Sequence, residues 1–553
     1  MKFLELARLY ETLEKTSSYI TMREILAKFF KKTPKEDLER TAYLTLGQIA
    51  SQYSDVNIGM ADKMAVKSIA KTSKQKEETI YALYKKIGDI GKTAEQYAGK
   101  GKLTVKKVFE TLHKIAEATG TGSQETKIKL LSGLLTEATP IEARYLARIV
   151  IGDLRLGVGD KTVLDALAIA YAKKEARTEL EHAYNICPDI GEIAGILAHK
   201  GINGIKKIGV KLGVPIQSML CQRVKALQEI KEKIGYPVVV EEKYDGERMQ
   251  VHVQNGKVKL YSRRLENITH QFPDIEQAVK KAVKTNCVLD AEVMPVDEKG
   301  NLLAFQTLMQ RRRKYEIEAY IKKIPVTLFV FDILFLKGKS LIKEPYKKRY
   351  AKLKKTLKQT QKIKLALQKA CNDSDCIEEL FNKTIEHGGE GVVIKNPEGP
   401  YQAGVRGWNW VKWKPEYVKG LRDTFDLVIA GAYHGRGRRA GTYGALLCAV
   451  YNDKKDTFET FCKLGSGFTD KELAVLPKKF KIIKHKPPRL EVSKTMHADV
   501  WFDMTKVAEV TGAEITKSPN HTAGYALRFP RFLKWRDKKP EQATTKKEII
   551  QMI

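Results

Sequence analysis

Lys243 leaves the apolar run Val238-Val239-Val240 within the segment Glu241-Glu242-Lys243-Tyr244-Asp245-Gly246-Glu247-Arg248. An amine at the end of a buried strand can attack phosphorus once burial and positive neighbours lower its pKa. On its own this segment reads equally well as a surface lysine in a turn. Further segments follow in order, each able to supply a part of nucleotidyl transfer. Leu260-Tyr261-Ser262-Arg263-Arg264 offers a guanidinium at a strand end, suited to a ribose or a phosphate. Leu289-Asp290-Ala291-Glu292 brings carboxylates that suit a sugar hydroxyl or a metal, and Phe331 in Val330-Phe331-Asp332-Ile333-Leu334 offers a ring for stacking on a base.

Two more segments complete the set. Glu390 precedes the strand-like Val392-Val393-Ile394-Lys395 and suits Mg²⁺, which takes few carboxylates together with phosphate oxygens. Trp410-Val411-Lys412-Trp413-Lys414 alternates, so Lys412 and Lys414 are expected on one side of a strand, converging on one phosphate and depressing the pKa of Lys243. Catalysis of phosphoryl transfer is chiefly positioning and charge neutralisation, which one nucleophile, two acids, a ring and several cations can supply.

The elements that must hold these residues change character along the chain. Residues 1–215 read as helical, with Phe3, Leu6, Leu9, Tyr10 and Leu13 at helical spacing. Thr33-Pro34-Lys35-Glu36 and Thr139-Pro140-Ile141-Glu142 both read as helix starts with Thr at N-cap. Arg144, Arg148 and Arg155 are expected to reach phosphates, and Gly201–Lys207 with Gly209 suggests glycine-punctuated turns. Over 216–418 the period shifts to two: Met249, Val251 and Val253 alternate with polar residues, Asn255-Gly256 makes a tight hairpin turn, and strands mix with helices. From 419 to 553 short strands and glycine-rich turns (425–432, 444–451, 457–464) suggest a small β-barrel closed by a tail helix after Pro540.

Composition limits the partners. A length of 553 residues implies roughly three or four domains. A net charge of +33 implies a polyanion. Seven scattered cysteines without a CxxC or a zinc pattern read as a reduced, intracellular chain. The amphipathic start is unlike a signal peptide, and no apolar run is long enough for a membrane.

The ordered series Lys243-Tyr-Asp-Gly-Glu-Arg, Ser262-Arg263-Arg264, Asp290-Ala-Glu292, Phe331-Asp-Ile-Leu, Glu390-Gly-Val-Val-Ile-Lys395 and Trp410-Val-Lys412-Trp-Lys414 resembles the motifs of ATP-dependent DNA ligases, closest to the replicative archaeal and eukaryotic type. Arg528-Phe529-Pro530-Arg531-Phe532-Leu533-Lys534-Trp535-Arg536 resembles their last motif. The resemblance implies an all-α DNA-binding domain (1–215), an α/β adenylation domain with a mixed antiparallel sheet (216–418) and an all-β OB-fold domain (419–553). It makes Lys243 the adenylated residue. Glu241, Arg248, Arg263, Glu292, Phe331, Arg406 and Lys412 become nucleotide contacts, joined by Lys414. Glu292 and Glu390 become the Mg²⁺-side carboxylates, and Arg528, Arg531, Lys534 and Arg536 orient the pyrophosphate of ATP.

The expected activity is sealing of nicked duplex DNA in replication, repair and recombination, by a monomer in the cytoplasm at the nucleoid. Sliding-clamp binding lacks its usual motif, since Tyr97–Leu103 carries no glutamine-plus-aromatic stretch. RNA ligases and capping guanylyltransferases share the lysine motif but usually lack the large basic helical domain. An inert DNA-binding scaffold would need Lys243 to be unreactive. The absence of a cysteine-rich zinc module argues against the NAD-dependent class.

Overall fold

The apolar spacing of the first residues folds as read: the helix Phe3–Glu14 buries Phe3, Leu6, Leu9, Tyr10 and Leu13. The computed structural model describes residues 1–553 apart from 98, 100, 173–175, 312–320, 387–388, 415–423, 436–441, 513 and 553. The chain forms two compact units, Met1–Trp413 and Lys414–Ile553. The expected boundary at 418 falls outside the described residues.

Helices from Phe3–Glu14 to Ile190–Ile205 build one apolar core in the first part of the larger unit. Thr139 caps the helix Pro140–Val150 reciprocally: its N–H donates to Glu142 Oε2 at 2.7 Å, and its hydroxyl accepts from Glu142 N–H at 3.5 Å. The other expected cap is not formed. Pro34 is the N-cap of Lys35–Thr45, because Thr33 ends the preceding helix and donates its hydroxyl back to Phe29 O at 3.0 Å. The turn expected at Gly201 is a kink inside Ile190–Ile205, where the glycine takes φ 59°.

The three arginines expected on phosphates turn inward. Arg148 is 1% exposed and donates to Glu14 at 2.9 and 3.0 Å and to Asp89 at 2.6 Å. Arg144 Nε donates to Glu95 at 2.9 Å and Arg155 Nε to Asp153 at 2.7 Å. The helix of Arg144 and Arg148, Pro140–Val150, buries most of its surface and leaves these two little solvated face, while Arg155 lies in the segment beyond it.

Two mixed sheets follow. The first has the order β1 (Leu220–Arg223), β11 (Arg406–Trp413), β10 (Val392–Lys395), β2 (Val238–Glu242), β9 (Gln368–Cys371). The second runs β4 (Lys257–Ser262), β3 (Glu247–Gln254), β5 (Cys287–Pro295), β6 (Val326–Leu336), β7 (Lys339–Ser340), with β8 (Ile363–Leu365) parallel to β6. The β3–β4 hairpin turns at Asn255-Gly256, both at positive φ (50° and 77°). Met249, Val251 and Val253 enter the core beneath this sheet. The residues between them are buried as well, which the alternation alone did not suggest.

Cys371 ends β9 and the helix Ser374–Glu386 starts directly after it. That turn brings Cys371 and Cys376 to a Cα separation of 5.5 Å, and they form a disulfide, against the expectation of a fully reduced chain.

The smaller unit is rich in sheet. β12 (Phe425–His434), β13 (Tyr443–Asn452) and β14 (Thr457–Leu464) form a meander, flanked by β15 (Ile482–Ile483), β16 (Leu490–Glu491) and β17 (Val500–Phe502). β18 (Val507–Thr511) joins β12 to β21 (Arg531–Arg536), while β19 (Glu514–Lys517) pairs β20 (Tyr525–Arg528). The pairing among the described residues draws a layered sheet, with cores on both faces, and no closed barrel. The tail helix is Lys546–Gln551, capped by Thr545.

His252 on β3 shows how tightly the polar face is fixed. Gly213 N–H donates to its Nδ1 at 3.0 Å, so Nε2 carries the proton and donates to Gln250 Oε1 at 2.9 Å. A second proton on Nδ1 would face the Gly213 N–H. Burial, with Lys259 nearby, pushes the imidazole down to about 3 from its ordinary 6.5. Stability from this group is therefore full above 6.5 and lost as pH falls toward 3. Linkage puts the loss at about 2 kcal/mol between pH 7 and pH 5. Urea unfolding across that range should show His252→Gln losing less stability with acidification than the wild type, by about that amount. Equal losses would show that His252 is not held neutral.

Candidate active site

Strand parity assembles the site on the facing surfaces of the two sheets. Across β2, β10 and β11, Glu241 pairs with Val393 and Val393 with Lys412, while Trp410 lies opposite Lys395. These residues share one face. Across β3 and β5, Arg248 lies opposite Glu292 and Gln250 opposite Asp290. The register between β5 and β6 slips between Asp290 and Ala291, leaving Phe331 as an extra residue. That bulge re-aims the Phe331 ring at Trp410, edge-on at 5.9 Å.

Lys243 sits where the chain crosses from β2 to β3. Its N–H donates to Gly391 O at 2.8 Å, and its Nζ donates to the Glu390 carboxylate. Three residues on, Gly246 passes over β5 so closely that a Cβ would lie 2.3 Å from Val293 O. Only glycine fits there, and its N–H reaches Glu292. Burial pushes the Glu292 carboxyl up to about 7, with Lys243 and Arg248 pulling the other way. Lys243 thus has one carboxylate bonded to it and a second within its electrostatic reach.

Beneath the nucleophile lies a layer of buried, paired charges. Arg248 donates to both oxygens of fully buried Asp290 at 3.0 and 2.7 Å, and to Met219 O at 2.6 Å. Tyr401 donates to the same Asp290 at 2.8 Å. Lys395, 1% exposed, pairs with Glu241 at 2.6 Å, and its ammonium lies over the rings of Trp410, Tyr346 and Phe331 at 4.4, 4.5 and 4.8 Å. Tyr346 donates to the other Glu241 oxygen at 2.5 Å. Burial drives the Glu241 carboxyl up, and Lys395 draws it back.

Of the residues read from sequence, Lys243, Arg248, Glu292 and Glu390 come together around the crossover. Glu241, Phe331 and Lys412 belong to the same facing surfaces. Lys414 lies one residue past the end of β11, which stops at Trp413. Arg263 is exposed beyond β4, in a cleft of about 780 Å³ bordered by residues 47–60. Arg406 is exposed at the first position of β11, six residues before Lys412. Lys395, Tyr346, Trp410 and Tyr401 were not singled out as site residues, and Asp290, expected as a carboxylate for a sugar hydroxyl or a metal, accepts instead from Arg248 and Tyr401. Parity alone could have flagged Lys395, two positions beyond Val393.

In the smaller unit, a bulge in β21 aligns the C-terminal cations. Val510 pairs with Phe532 and Glu509 with Lys534, so Leu533 is the extra residue. Phe532 and Trp535 can then both turn inward, where their rings meet at 4.9 Å. Arg531, Lys534 and Arg536 take the opposite face, though an odd spacing separates Arg531 from Lys534. Lys534 and Arg536 also lie 3.4 Å from Glu509. Arg528 ends β20, its guanidinium over the Phe529 ring at 5.3 Å.

The donor set suits magnesium and a nucleoside triphosphate. Among the described residues no group of three or more His, Cys, Asp or Glu forms a closed metal cage. Mg²⁺ ordinarily takes one or two carboxylates with the remaining oxygens from phosphate and water, which Glu292 and Glu390 fit. No helix among the described residues is long and apolar enough to cross a membrane.

Comparison with known proteins agrees along the chain. Residues 2–168 match the model described as DNA ligase N terminus, 218–414 the ATP dependent DNA ligase domain, and 439–539 the ATP dependent DNA ligase C terminal region. A protein named DNA ligase 2 of Korarchaeum cryptofilum is 46% identical over 100% of this chain and 97% of its own length. The DNA ligase of Staphylothermus marinus is 44% identical over 100% of this chain and 98% of its own. A solved structure titled Pmar-Lig_PreS3 covers 96% of this chain and 99% of its own at 18% identity with TM-score 0.56, a likeness of fold alone. With its three regions matched in order and close relatives spanning its whole length, the chain belongs to the ATP-dependent DNA ligase family.

Proposed function

We propose that Lys243 carries the chemistry of this ligase as the residue that accepts AMP. ATP-dependent sealing of nicks in DNA is the activity of the family, with ATP and Mg²⁺ required. The observation that carries the assignment is the position of Lys243 at the sheet crossover, bonded to Glu390 and within electrostatic reach of Glu292. Its Nζ attacks the α-phosphorus of ATP and forms a P–N bond as pyrophosphate leaves. AMP then passes to the 5′-phosphate at the nick, and the 3′-hydroxyl displaces it to close the strand. Replication, repair and recombination are the settings proposed for this reaction.

Each remaining residue has a role that its surroundings support. Phe331 offers a ring to the base, and Glu241, held by Lys395 and Tyr346, offers a fixed acceptor. Arg248 and Lys412 supply cations on the two facing surfaces, joined by Lys414. Arg263 and Arg406 are proposed to reach the nucleotide from exposed strand ends. Magnesium, when bound, would be held by Glu292 and Glu390 and would neutralise charge on the phosphates. Positioning and fixed charge do the rest.

The finer architecture is part of the same proposal. It assigns 1–215 to DNA binding, 216–418 to adenylation and 419–553 to an OB-fold, whose five central strands the β12–β13–β14 meander and β18 would help form. The chain is proposed to act as a monomer on nicked duplex DNA inside the cell. Clamp binding through Tyr97–Leu103 is not part of it: Leu103 is 2% exposed and Tyr97 packs on the helical core. The loop Gly435–Arg439, a candidate duplex contact, lies outside the described residues from Arg436 on.

Two tests follow. A guanidinium stays protonated and cannot attack, so Lys243→Arg should yield no AMP adduct by intact mass and no sealing of an ordinary nick. An adduct on the arginine variant would refute the assignment. The aligned face of Arg531 and Lys534 is proposed to stabilise departing pyrophosphate, a need confined to the first step. Arg531→Gln with Lys534→Gln should then slow adduct formation about tenfold or more beyond any effect on sealing a pre-adenylated nick. Equal slowing in single-turnover assays would point instead to surface ion pairs within the sheet.

A further inference from the structure

Six lysines converge on a second cleft, of about 750 Å³: Lys281, Lys284, Lys337, Lys352, Lys355 and Lys358. Three segments bring them there. The helices Pro273–Ala282 and Tyr346–Thr356 both end at the cleft, and Lys358 N–H donates to Ala282 O at 3.1 Å. The turn between β6 and β7 supplies Lys337, whose N–H donates to Asn286 O at 3.0 Å. The place is remote from the nucleotide. β6 carries Phe331 at the site and Leu336 at the cleft, five residues or about 17 Å along the strand.

Helix ends explain part of this charge, because a cation in the last turn offsets the carbonyl dipoles. Lys284 Nζ does this at Lys280 O, 2.9 Å away. Carboxylates explain little more: among the described residues only Lys352 of the six has an acidic partner, Glu344 at 2.6 Å. The other five are exposed. Crowding like charges at one opening is unfavourable unless an anion shares it.

The lining also selects the kind of anion. It contains no aromatic ring on which a base could stack and no arginine fork for a base edge. Of the apolar residues in the lining, Ala282 and Leu357 are buried and Leu336 is half-buried, which leaves no large exposed apolar side chain as an anchor for a protein partner. Flexible point charges alone suit backbone phosphates, which position without reading sequence.

We propose that this lysine cleft is an additional contact for the sugar–phosphate backbone of duplex DNA, away from the nick. It does not depend on the role given to Lys243. The test compares the full chain with K281Q/K284Q/K355Q/K358Q and with the charge-keeping K281R/K284R/K355R/K358R. Adduct formation with ATP should be unchanged in both. Affinity for a nicked duplex, followed over a salt series, should give a log–log slope flatter by about two to four units in the glutamine variant, at roughly 0.9 per lost phosphate contact, and unchanged in the arginine variant.

Acetylation of the unaltered chain, read by mass spectrometry, should show these four lysines protected by the nicked duplex. Should the glutamine variant fail to fold, the protection pattern decides alone. An unaltered slope without protection overturns the proposal. Protection by polyglutamate but not by DNA also overturns it and assigns the cleft to an acidic protein partner.

Discussion

A buried ammonium is costly unless it is paired, and Lys395 is almost wholly enclosed. Its pairing with Glu241 and its enclosure by Trp410, Tyr346 and Phe331 draw on both sheets and on the helix Tyr346–Thr356. None of these parts can move far without exposing or orphaning the charge. The same device recurs nearby, in Arg248 on Asp290 and in Arg349, which donates to both oxygens of Asp332 at 2.9 and 2.8 Å with both residues fully buried. The ion pairs lie within each sheet or join a helix to it, and charge crosses between the sheets through rings: Lys395 over Phe331 at 4.8 Å and Arg248 over Trp410 at 5.5 Å.

That rigidity is what the nucleophile needs. Lys243 is on a short crossover with no core of its own, and its position follows from β2 on one side and β3 on the other. Gly246 lets the crossover lie directly on β5, which brings Glu292 within reach of the amine. A looser crossover would leave the amine and its two carboxylates free to drift by distances that matter for in-line attack.

Much of this was legible in sequence, for reasons that differ by residue. The Asn255-Gly256 hairpin and the Thr139 cap follow from local chemistry, and both formed. The crossover lysine was marked by a β-run ending in charge. Thr33 misled because a proline and an acid after a threonine look the same whether that threonine begins one helix or ends another. Arg148 misled because exposure depends on what covers a helix, and the partners Glu14 and Asp89 are distant in sequence. The disulfide needed the turn between Cys371 and Cys376, and the shared face of Arg531 and Lys534 needed a bulge that no alternation rule contains.

The Leu533 bulge makes β21 a counted object. One residue without a partner on β18 changes which side of the strand every later side chain occupies. Ironing the bulge out with Leu533 retained would give a straighter strand and a fuller hydrogen-bond ladder, while sending Arg531 and Lys534 to opposite faces. A gain in regularity would thus scramble the arrangement of charge. Leu533 itself is 45% exposed, and without it Arg531 and Lys534 would stand two positions apart and still share a face. Lineages carrying this strand should accordingly hold the bulge and its extra residue together or lose both, because straightening alone parts the two cations.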